Sequence, residues 1–340
     1  MKKLRVLALM HPDLVPPESL DESTAKEQFA WKTEYDVTST LRGLGHEVLS
    51  LGVQYDLLPI KRTMDEWQPD IAFNLLEEFH GETVFDHSVV SFLELLRLKY
   101  TGCNPMGMML ARGKALSKKL LAYSRIRVPH FAVFPRGRKV RRPAKLGFPL
   151  IVKSLVEHAS VGIAQASVVD SDEKLVERVT MVHERIGTDA IAEEYIDGRE
   201  VYSAVLGNER LHVLPPFELK FGDLPANVPK IATARVKHDP AYQEKRGIYA
   251  EEAIDLPPEL LKQLTHVSKR IYRILELDGY ARIDFRLSAD GQLYFLEANP
   301  NPDVAFREEF AGAAEAAGMS YAEMLQRIVN LGLRRGGRAG

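Results

Sequence analysis

The feature that most constrains this chain is a pair of alternating segments near its C-terminus. Residues 280–287 and 292–299 flank Asp290-Gly291, a dipeptide typical of two-residue hairpin turns. With those two residues as the loop, Asp284 lies opposite Glu297 and Arg282 lies opposite Asn299. Strand alternation then predicts one polar and one apolar face. The polar face holds Arg282, Asp284, Arg286, Glu297 and Asn299, and the apolar face holds Ile283, Phe285, Leu287, Tyr294, Leu296 and Ala298.

The polar face of this hairpin suggests a metal site. Two carboxylates directly opposite each other repel, so a cation between Asp284 and Glu297 would stabilise the pair. Asp, Glu and Asn oxygens are hard ligands that suit Mg²⁺ (or Mn²⁺) shared with phosphates, and Arg282 is placed to bind an anion. The alternative is a solvated hairpin face with scattered charges, and a register slip of one residue would break the pairing.

The first hundred or so residues alternate between strand-like and helix-like segments, which predicts an α/β layer. Strands are predicted at 4–10, 47–53 and 71–76, and helices at 34–44 and 85–98. The polar, proline-rich segment 12–33 follows the first strand, where open α/β sheets bind ligands. It is either a substrate loop or a solvated connection.

The rest of the chain has a different pattern, with longer helices and hairpins. Strands are predicted at 148–153, 164–169, 190–196 and 200–206, and helices at 171–186, 257–276 and 320–333. Asp197-Gly198 is predicted as a hairpin turn.

Several residues of this region fit a nucleotide site. Lys153 ends an apolar strand, and small residues at 158–163 would let backbone amides approach a phosphate. Glu193 and Glu200 lie on successive strands, where carboxylates can bind ribose hydroxyls or an adenine amino group. Each signal alone also fits ordinary surface structure. The chain has no Walker, dinucleotide-fingerprint, nucleophile-elbow or His-Glu-x-x-His motif.

Together these motifs resemble the ATP-grasp superfamily, specifically its D-alanine–D-alanine ligase-like branch. The resemblance is weak over residues 1–100 and strong over 101–303. Residues 281–285 with 296–299 look like the metal-binding core of that branch. The resemblance implies that Asp284, Glu297 and Asn299 hold two Mg²⁺ ions and that Arg282 stabilises an acyl-phosphate step.

The resemblance also assigns nucleotide-binding roles. Residues 148–153 look like the strand that carries a phosphate lysine, Lys153, and residues 160–163 look like the loop over the triphosphate. That loop gives Ser160 and Gly162 binding roles, and Ser160 a catalytic one. The adenine and ribose positions correspond to Glu193, Glu194, Tyr195, Ile196 and Glu200. Lys114 and Lys237 resemble the remaining phosphate lysines.

The fold that the resemblance implies is α/β and α+β. An N-terminal α/β domain over residues 1–103 precedes a central lobe (104–190) and a C-terminal lobe with the metal site (191–340), and the two lobes clamp ATP. The implied reaction phosphorylates a carboxylate with ATP, and an amine then attacks the acyl phosphate. Two alternatives stay open: a kinase on the same scaffold, and a nucleotide-binding protein without turnover.

Three segments depart from the branch, at Met10–Asp13, Phe79–Glu82 and Pro300–Asp303, all on the substrate side. We therefore expect a substrate other than D-alanine. Asp303 stands where the branch has a glycine, and it favours a cationic acceptor by charge. Further acids of the early loop are Asp13, Glu18, Asp21 and Glu22. The alternative is that Asp303 caps a nearby helix.

Composition limits the partners and the compartment. Lys and Arg number 45 against 47 Asp and Glu, a balance that does not favour nucleic-acid binding. One cysteine excludes an intrachain disulfide and fits a reducing cytoplasm. The apolar run 6–10 is too short for a secretion signal, and no stretch approaches the roughly 18 apolar residues of a membrane helix. We expect a cytoplasmic protein that acts on small carboxylates and amines, without a nucleic-acid or membrane partner; a homodimer is compatible with the sequence.

Overall fold

The computed structural model describes residues 2–17, 24–156, 163–222, 224 and 228–335. Its N-terminal part is a parallel three-stranded sheet in the order β2-β1-β3, with helices between the strands. The strands are β1 (Arg5–Met10), β2 (Glu47–Gly52) and β3 (Ile71–Asn74), and the helices are α1 (Ala25–Ala30), α2 (Lys32–Gly43), α3 (Leu58–Trp67) and α4 (Asp86–Leu95). The predicted alternation is confirmed. Central β1 is the continuous apolar run because both of its faces are covered.

The segment 12–33 is more regular than the sequence suggested. Helix α1 starts after Thr24, whose hydroxyl accepts a hydrogen bond from the Glu27 amide while the Glu27 carboxylate accepts one from the Thr24 amide at 2.8 Å. This Thr-x-x-Glu capping box fixes a helix start that the polar composition concealed. The acids Glu18, Asp21 and Glu22 lie outside the described residues.

The central part contains an antiparallel sheet in the order β4-β7-β5-β6. Its strands are β4 (Phe131–Phe134), β5 (Leu150–Ser154), β6 (Val168–Val169) and β7 (Ala190–Glu194), and its helices are α5 (Pro105–Arg112), α6 (Lys114–Tyr123) and α7 (Asp172–Met181). The strand predicted at 164–169 is shortened to β6. The Ser167 hydroxyl accepts a hydrogen bond from the Ala164 amide, and this bond stabilises a 3-10 turn over Gln165–Ser167. The predicted boundary between residues 190 and 191 falls within β7, whose residues all pair in this central sheet.

The C-terminal part contains a six-stranded sheet in the order β11-β10-β8-β12-β13, with β9 paired to β8. Its strands are β8 (Arg199–Leu206), β9 (His212–Val213), β10 (Phe217–Phe221), β11 (Ile248–Glu252), β12 (Tyr280–Leu287) and β13 (Leu293–Pro300). Its helices are α8 (Ala234–His238), α9 (Pro240–Arg246), α10 (Pro258–Ile274), α11 (Glu309–Ala316) and α12 (Tyr321–Leu333). Strand β12 pairs on both sides, and all its residues are buried.

The β12–β13 hairpin has the predicted pairing but not the predicted turn. Asp284 lies opposite Glu297 and Arg282 lies opposite Asn299, as predicted. The turn is longer by one residue, because Ser288 and Gln292 pair and Gly291 takes a positive φ of 79°. A bulge at Leu296 then restores the register, since Phe285 pairs with Phe295 whereas Asp284 pairs with Glu297.

The bulge changes two predicted orientations. Tyr294 lies opposite Arg286, and Leu296 lines a cleft, so neither belongs to the apolar face predicted for it. That face is completed by Leu293, Phe295 and Ala298, which are buried.

One apolar core runs from β1 and α4 through α5 and α6 to this hairpin, and it fixes α6 against β13. A second core lies between the central sheet and α7. Among the residues that the structure describes, no helix has the length and apolar character needed to cross a membrane.

Candidate active site

A cleft lies between the central sheet and the C-terminal sheet. Strands β5 and β7 contribute one side, β12 and β13 contribute the other, and α6 adds Lys114. Two loops converge there, because the Ala234 amide at the start of α8 donates to the Ile163 carbonyl at 3.1 Å. The charged and polar lining residues are Lys114, Lys153, Ser154, Glu193, Glu194, Tyr195, Glu200, Lys237, Asp284, Arg286 and Glu297, and the apolar ones are Ile151, Ile163, Ile196, Ile231, Ala232 and Leu296.

Glu193 is held between two lysines. Its Oε1 lies 3.1 Å from Lys118 Nζ and its Oε2 lies 3.3 Å from Lys153 Nζ. Burial alone would raise the pKa of Glu193, but the two ammonium groups outweigh it and the pKa is lowered. Lys153 likewise keeps a raised pKa, because Glu193 and Glu297 overcome its desolvation. The charged form of this pair is therefore the stable one.

Lys114 lies beside Glu297 in the cleft. Its Nζ lies 3.7 Å from Glu297 Oε2, and its side chain is 4% exposed. Burial lowers the pKa of Lys114 to about 8, against the opposing effect of Glu297, and the positive charges of Lys153 and Lys118 lower it further. An anion in the cleft would stabilise the protonated form.

The predicted metal ligands meet at Asp284. Asn299 Nδ2 donates to Asp284 Oδ2 at 3.0 Å, which leaves the Asn299 amide oxygen as its ligand atom, and Glu297 lies directly across the strand pair. Burial raises the pKa of Asp284 in spite of Arg282, so a nearby cation would stabilise its charged form. Within the described ranges no group of three His, Cys, Asp or Glu side chains converges. A divalent ion would thus need the Asn299 oxygen, with phosphate oxygens and water completing its shell. The oxygen atoms of Asp284, Glu297 and Asn299 therefore fit Mg²⁺, provided that phosphate and water supply the remaining ligands.

Arg282 is held by two carboxylates and an aromatic ring. It binds Asp284 in a bidentate pair at 2.8 and 3.0 Å, and its Nη1 lies 3.3 Å from Glu309 Oε2. Its guanidinium stacks 4.7 Å from the ring centroid of Tyr202. Burial lowers the pKa of Arg282, but the carboxylates of Asp284 and Glu309 outweigh burial and hold this pKa above its ordinary value.

Glu200 of β8 also lines the cleft. The Tyr202 hydroxyl donates to Glu200 at 3.2 Å, and Arg286 Nη1 lies 3.5 Å from its second oxygen. Arg286 also stands 5.7 Å from the Tyr195 ring centroid. Tyr202 therefore contacts both Glu200 and Arg282, which the sequence placed in different parts of the site.

The cleft brings together most of the site residues predicted from sequence. Those that line it are Lys114, Lys153, Glu193, Glu194, Tyr195, Ile196, Glu200, Lys237, Asp284 and Glu297. Arg282 and Asn299 contact Asp284 instead of lining the cleft. Ser160 and Gly162 lie outside the described residues, so their predicted roles stay predictions.

Sequence reasoning missed Lys118, Arg286 and part of the apolar walls of the cleft. Lys118 follows Lys114 by four residues, so both lie on one face of α6, and that spacing was a signal. Arg286 was placed on the polar face of the hairpin but not in the site. Of the apolar wall residues, Ile151 was predicted only as part of a buried strand and Leu296 as part of the apolar hairpin face, whereas the resemblance had placed Ile163 in the triphosphate loop and Ile196 at the adenine.

The segment after Asn299 packs on α2. The Asp303 carboxylate accepts hydrogen bonds from the Thr33 hydroxyl at 2.9 Å and the Ala305 amide at 2.8 Å. It therefore closes a turn and does not cap a helix, since α11 starts after Glu308. Glu34 lies near it, 5% exposed, and burial raises the pKa of Glu34 to about 7, with Glu77 and Asp303 adding to the rise.

Comparison with known proteins places this geometry among ligases. The family described as D-ala D-ala ligase C-terminus matches residues 120–330. The D-alanine–D-alanine ligase of Desulforudis audaxviator is 30% identical over 92% of this chain and 96% of its own length. The uncharacterized protein y4sG of Sinorhizobium fredii is 32% identical over 88% of this chain and 87% of its own.

Solved structures share the fold. The Bacillus anthracis D-alanine–D-alanine ligase complexed with ATP has a TM-score of 0.75 at 24% identity, over 98% of both chains. The VanG D-Ala:D-Ser ligase of Enterococcus faecalis has a TM-score of 0.71 at 18% identity, over 97% of this chain and 100% of its own.

Proposed function

Because this chain belongs to the D-alanine–D-alanine ligase family of ATP-grasp enzymes, we propose that it joins a small carboxylate to an amine through an acyl phosphate, with release of ADP and phosphate. The observation that carries the proposal is the single cleft that holds Lys114 and Lys153 beside Asp284 and Glu297. Lysines neutralise phosphate oxygens, and carboxylates opposite them bind the divalent ion that phosphates share. The relative from Bacillus anthracis was crystallised with ATP.

Each group of the cleft has a proposed task. Glu193, Glu194, Tyr195 and Ile196 bind the adenine, and Glu200 binds the ribose. Lys114, Lys153 and Lys237 neutralise the phosphates, together with Ser160 and Gly162. Asp284, Glu297 and Asn299 would hold Mg²⁺ (or Mn²⁺), which spreads the charge of the transferred phosphoryl group. Arg282 stabilises the acyl-phosphate step, and Ser160 assists it.

The proposed function also depends on how the chain is divided into domains. We place the N-terminal domain at residues 1–103 and start the central lobe at 104, but the boundary to the C-terminal lobe lies after β7, because β7 pairs with β4 and β5 of the central sheet. The cleft between the lobes keeps water from the acyl phosphate, which would otherwise hydrolyse.

The acceptor is proposed to be cationic and not D-alanine. Arg282 is already engaged by Asp284 and Glu309, so it has little capacity to bind the carboxylate of an amino-acid acceptor. The neighbouring turn adds Asp303, and the acids close to it include Glu34 and Glu308. A second carboxylate near these groups would be repelled, whereas an ammonium group would be attracted.

The function is tested by identifying products. The purified enzyme is incubated with ATP, Mg²⁺ and a panel of D-alanine, dipeptides, polyamines and basic amino acids. We expect ADP, free phosphate and an amide product with a cationic acceptor. ADP with a phosphorylated acceptor would identify a kinase and refute the ligase proposal.

The acceptor charge is tested with Asp303→Asn, which keeps the Thr33 contact but removes the charge. We expect a raised KM for the cationic acceptor and an unchanged KM for ATP. Robust dimerisation of D-alanine by the wild type would refute the acceptor proposal alone.

A further inference from the structure

Lys118 lies in the middle of α6 and its side chain has no exposed surface. Burial lowers the pKa of Lys118, and Glu193 opposes that change. A buried amine is costly unless it is paired and hydrogen-bonded. The partners of Lys118 are therefore needed to keep its ammonium group charged. The ammonium group in turn holds those partners in position.

The Lys118 ammonium contacts both sheets of the cleft. On the central sheet it lies 3.1 Å from Glu193 Oε1 on β7. On the C-terminal sheet it donates to the carbonyl oxygen of Leu296 on β13, and it stands 5.4 Å from the ring centroid of Phe295. Leu296 is the bulged residue of the hairpin, immediately before Glu297.

Loss of this ammonium would affect both sheets. Glu193 would keep its ion pair with Lys153 but lose the one with Lys118, so its burial would raise its pKa. The Leu296 carbonyl would lose its donor, and the bulge that orients Glu297 would lose a constraint. One side chain thus acts on a lysine and on a carboxylate that come from different sheets.

We infer that Lys118 is a positioning residue that couples the nucleotide-binding Lys153 to the metal-binding Glu297. It fixes the position of the Lys153 side chain through Glu193, and it fixes the position of Glu297 through the Leu296 carbonyl. The inference rests on the proposed nucleotide and metal roles of this cleft. It predicts that ADP affinity and Mn²⁺ affinity depend together on a residue that touches neither ligand.

The test compares Lys118→Met with Lys119→Met, which removes an exposed lysine of the same helix. ADP affinity is measured by calorimetry without metal, and Mn²⁺ affinity by electron paramagnetic resonance with ADP bound. We expect both affinities to fall about tenfold in Lys118→Met, and neither to change in Lys119→Met. Wild-type affinities for both ligands in Lys118→Met would overturn the inference.

A pH profile separates positioning from a general loss of structure. In Lys118→Met, lowering the pH should weaken ADP binding more than it does in the wild type, because Glu193 then takes up a proton. The wild type should lack this additional loss, because its Glu193 stays charged. The same profile in both proteins would overturn the inference.

The double variant Lys118→Met/Glu193→Gln removes both buried charges. It replaces Lys118→Met in these measurements if the single variant does not fold. Its ADP affinity should lose the pH dependence, while its Mn²⁺ affinity should stay below that of Glu193→Gln alone. Equal Mn²⁺ affinity in the double variant and Glu193→Gln would overturn the route through Leu296. Absence of ADP binding by the wild type would instead overturn the proposed function, and this inference with it.

Discussion

Lys114 offers a direct test of the nucleotide site through its proton. Burial lowers its pKa from 10.5 to about 8, which corresponds to about 3 kcal/mol in favour of the neutral amine. That net shift already includes Glu297, which lies 3.7 Å away and raises the pKa, and the charges of Lys153 and Lys118, which lower it. A phosphate oxygen at hydrogen-bond distance would supply a stronger counter-charge and raise the pKa again. ADP binding should therefore be accompanied by proton uptake at Lys114.

The uptake can be measured by calorimetry in buffers of different ionisation enthalpy. At about pH 8.5 we expect the enzyme to take up about 0.7 proton for each ADP that binds. Above about pH 8 the affinity for ADP should fall by about tenfold per pH unit. Lys153 adds no proton in this range because its pKa is raised. Lys114→Met should abolish the uptake, and Lys119→Met should preserve it. Binding without proton uptake in the wild type, or equal uptake in Lys114→Met, would refute the argument.

Three further substitutions test other parts of the cleft. Glu297→Gln should abolish Mg²⁺-dependent ADP formation while thermal unfolding stays cooperative, because a ligand charge is lost but little volume changes; wild-type activity would contradict the metal assignment. Lys153→Ala should weaken ADP binding by about tenfold or more by calorimetry, since a phosphate loses its counter-charge; unchanged affinity would exclude that role. Tyr202→Phe should raise the KM for ATP about threefold and leave kcat unchanged, because the Glu200 bond is lost but the stacking on Arg282 remains; a large loss of kcat would show that the hydroxyl itself serves the chemistry.

The hairpin shows how a local pattern can predict a site. Alternation along β12 is encoded in neighbouring residues and does not depend on the turn, whereas two residues of β13, Tyr294 and Leu296, left the face predicted for them. The two-residue turn at Asp290-Gly291 was wrong, yet Asp284 still lies opposite Glu297. The extra turn residue and the bulge at Leu296 shift the register in opposite senses, and the predicted pairing was preserved by that cancellation.

The partners of the charged residues could not be predicted in the same way. Glu193 and Lys118 are 75 positions apart in sequence and meet only because α6 packs between two sheets. Arg282 and Glu309 likewise meet through the turn that precedes α11. Such contacts depend on tertiary packing, which leaves no periodic signal in the chain. The capping box at Thr24 was by contrast a local signal, and it was available in the sequence.

These long-range contacts give the cleft an uneven charge distribution. On the nucleotide side, Lys118 and Lys153 hold Glu193 charged, so this wall is fixed before any ligand enters. On the acceptor side, Arg282 is neutralised by Asp284 and Glu309. Asp284 would hold a divalent ion through the same oxygens that accept hydrogen bonds from Arg282, while Glu309 keeps its own contact with the guanidinium. The proposed metal site and Arg282 therefore share Asp284, and Glu309 keeps Arg282 paired, so this side of the cleft still favours an ammonium over a carboxylate.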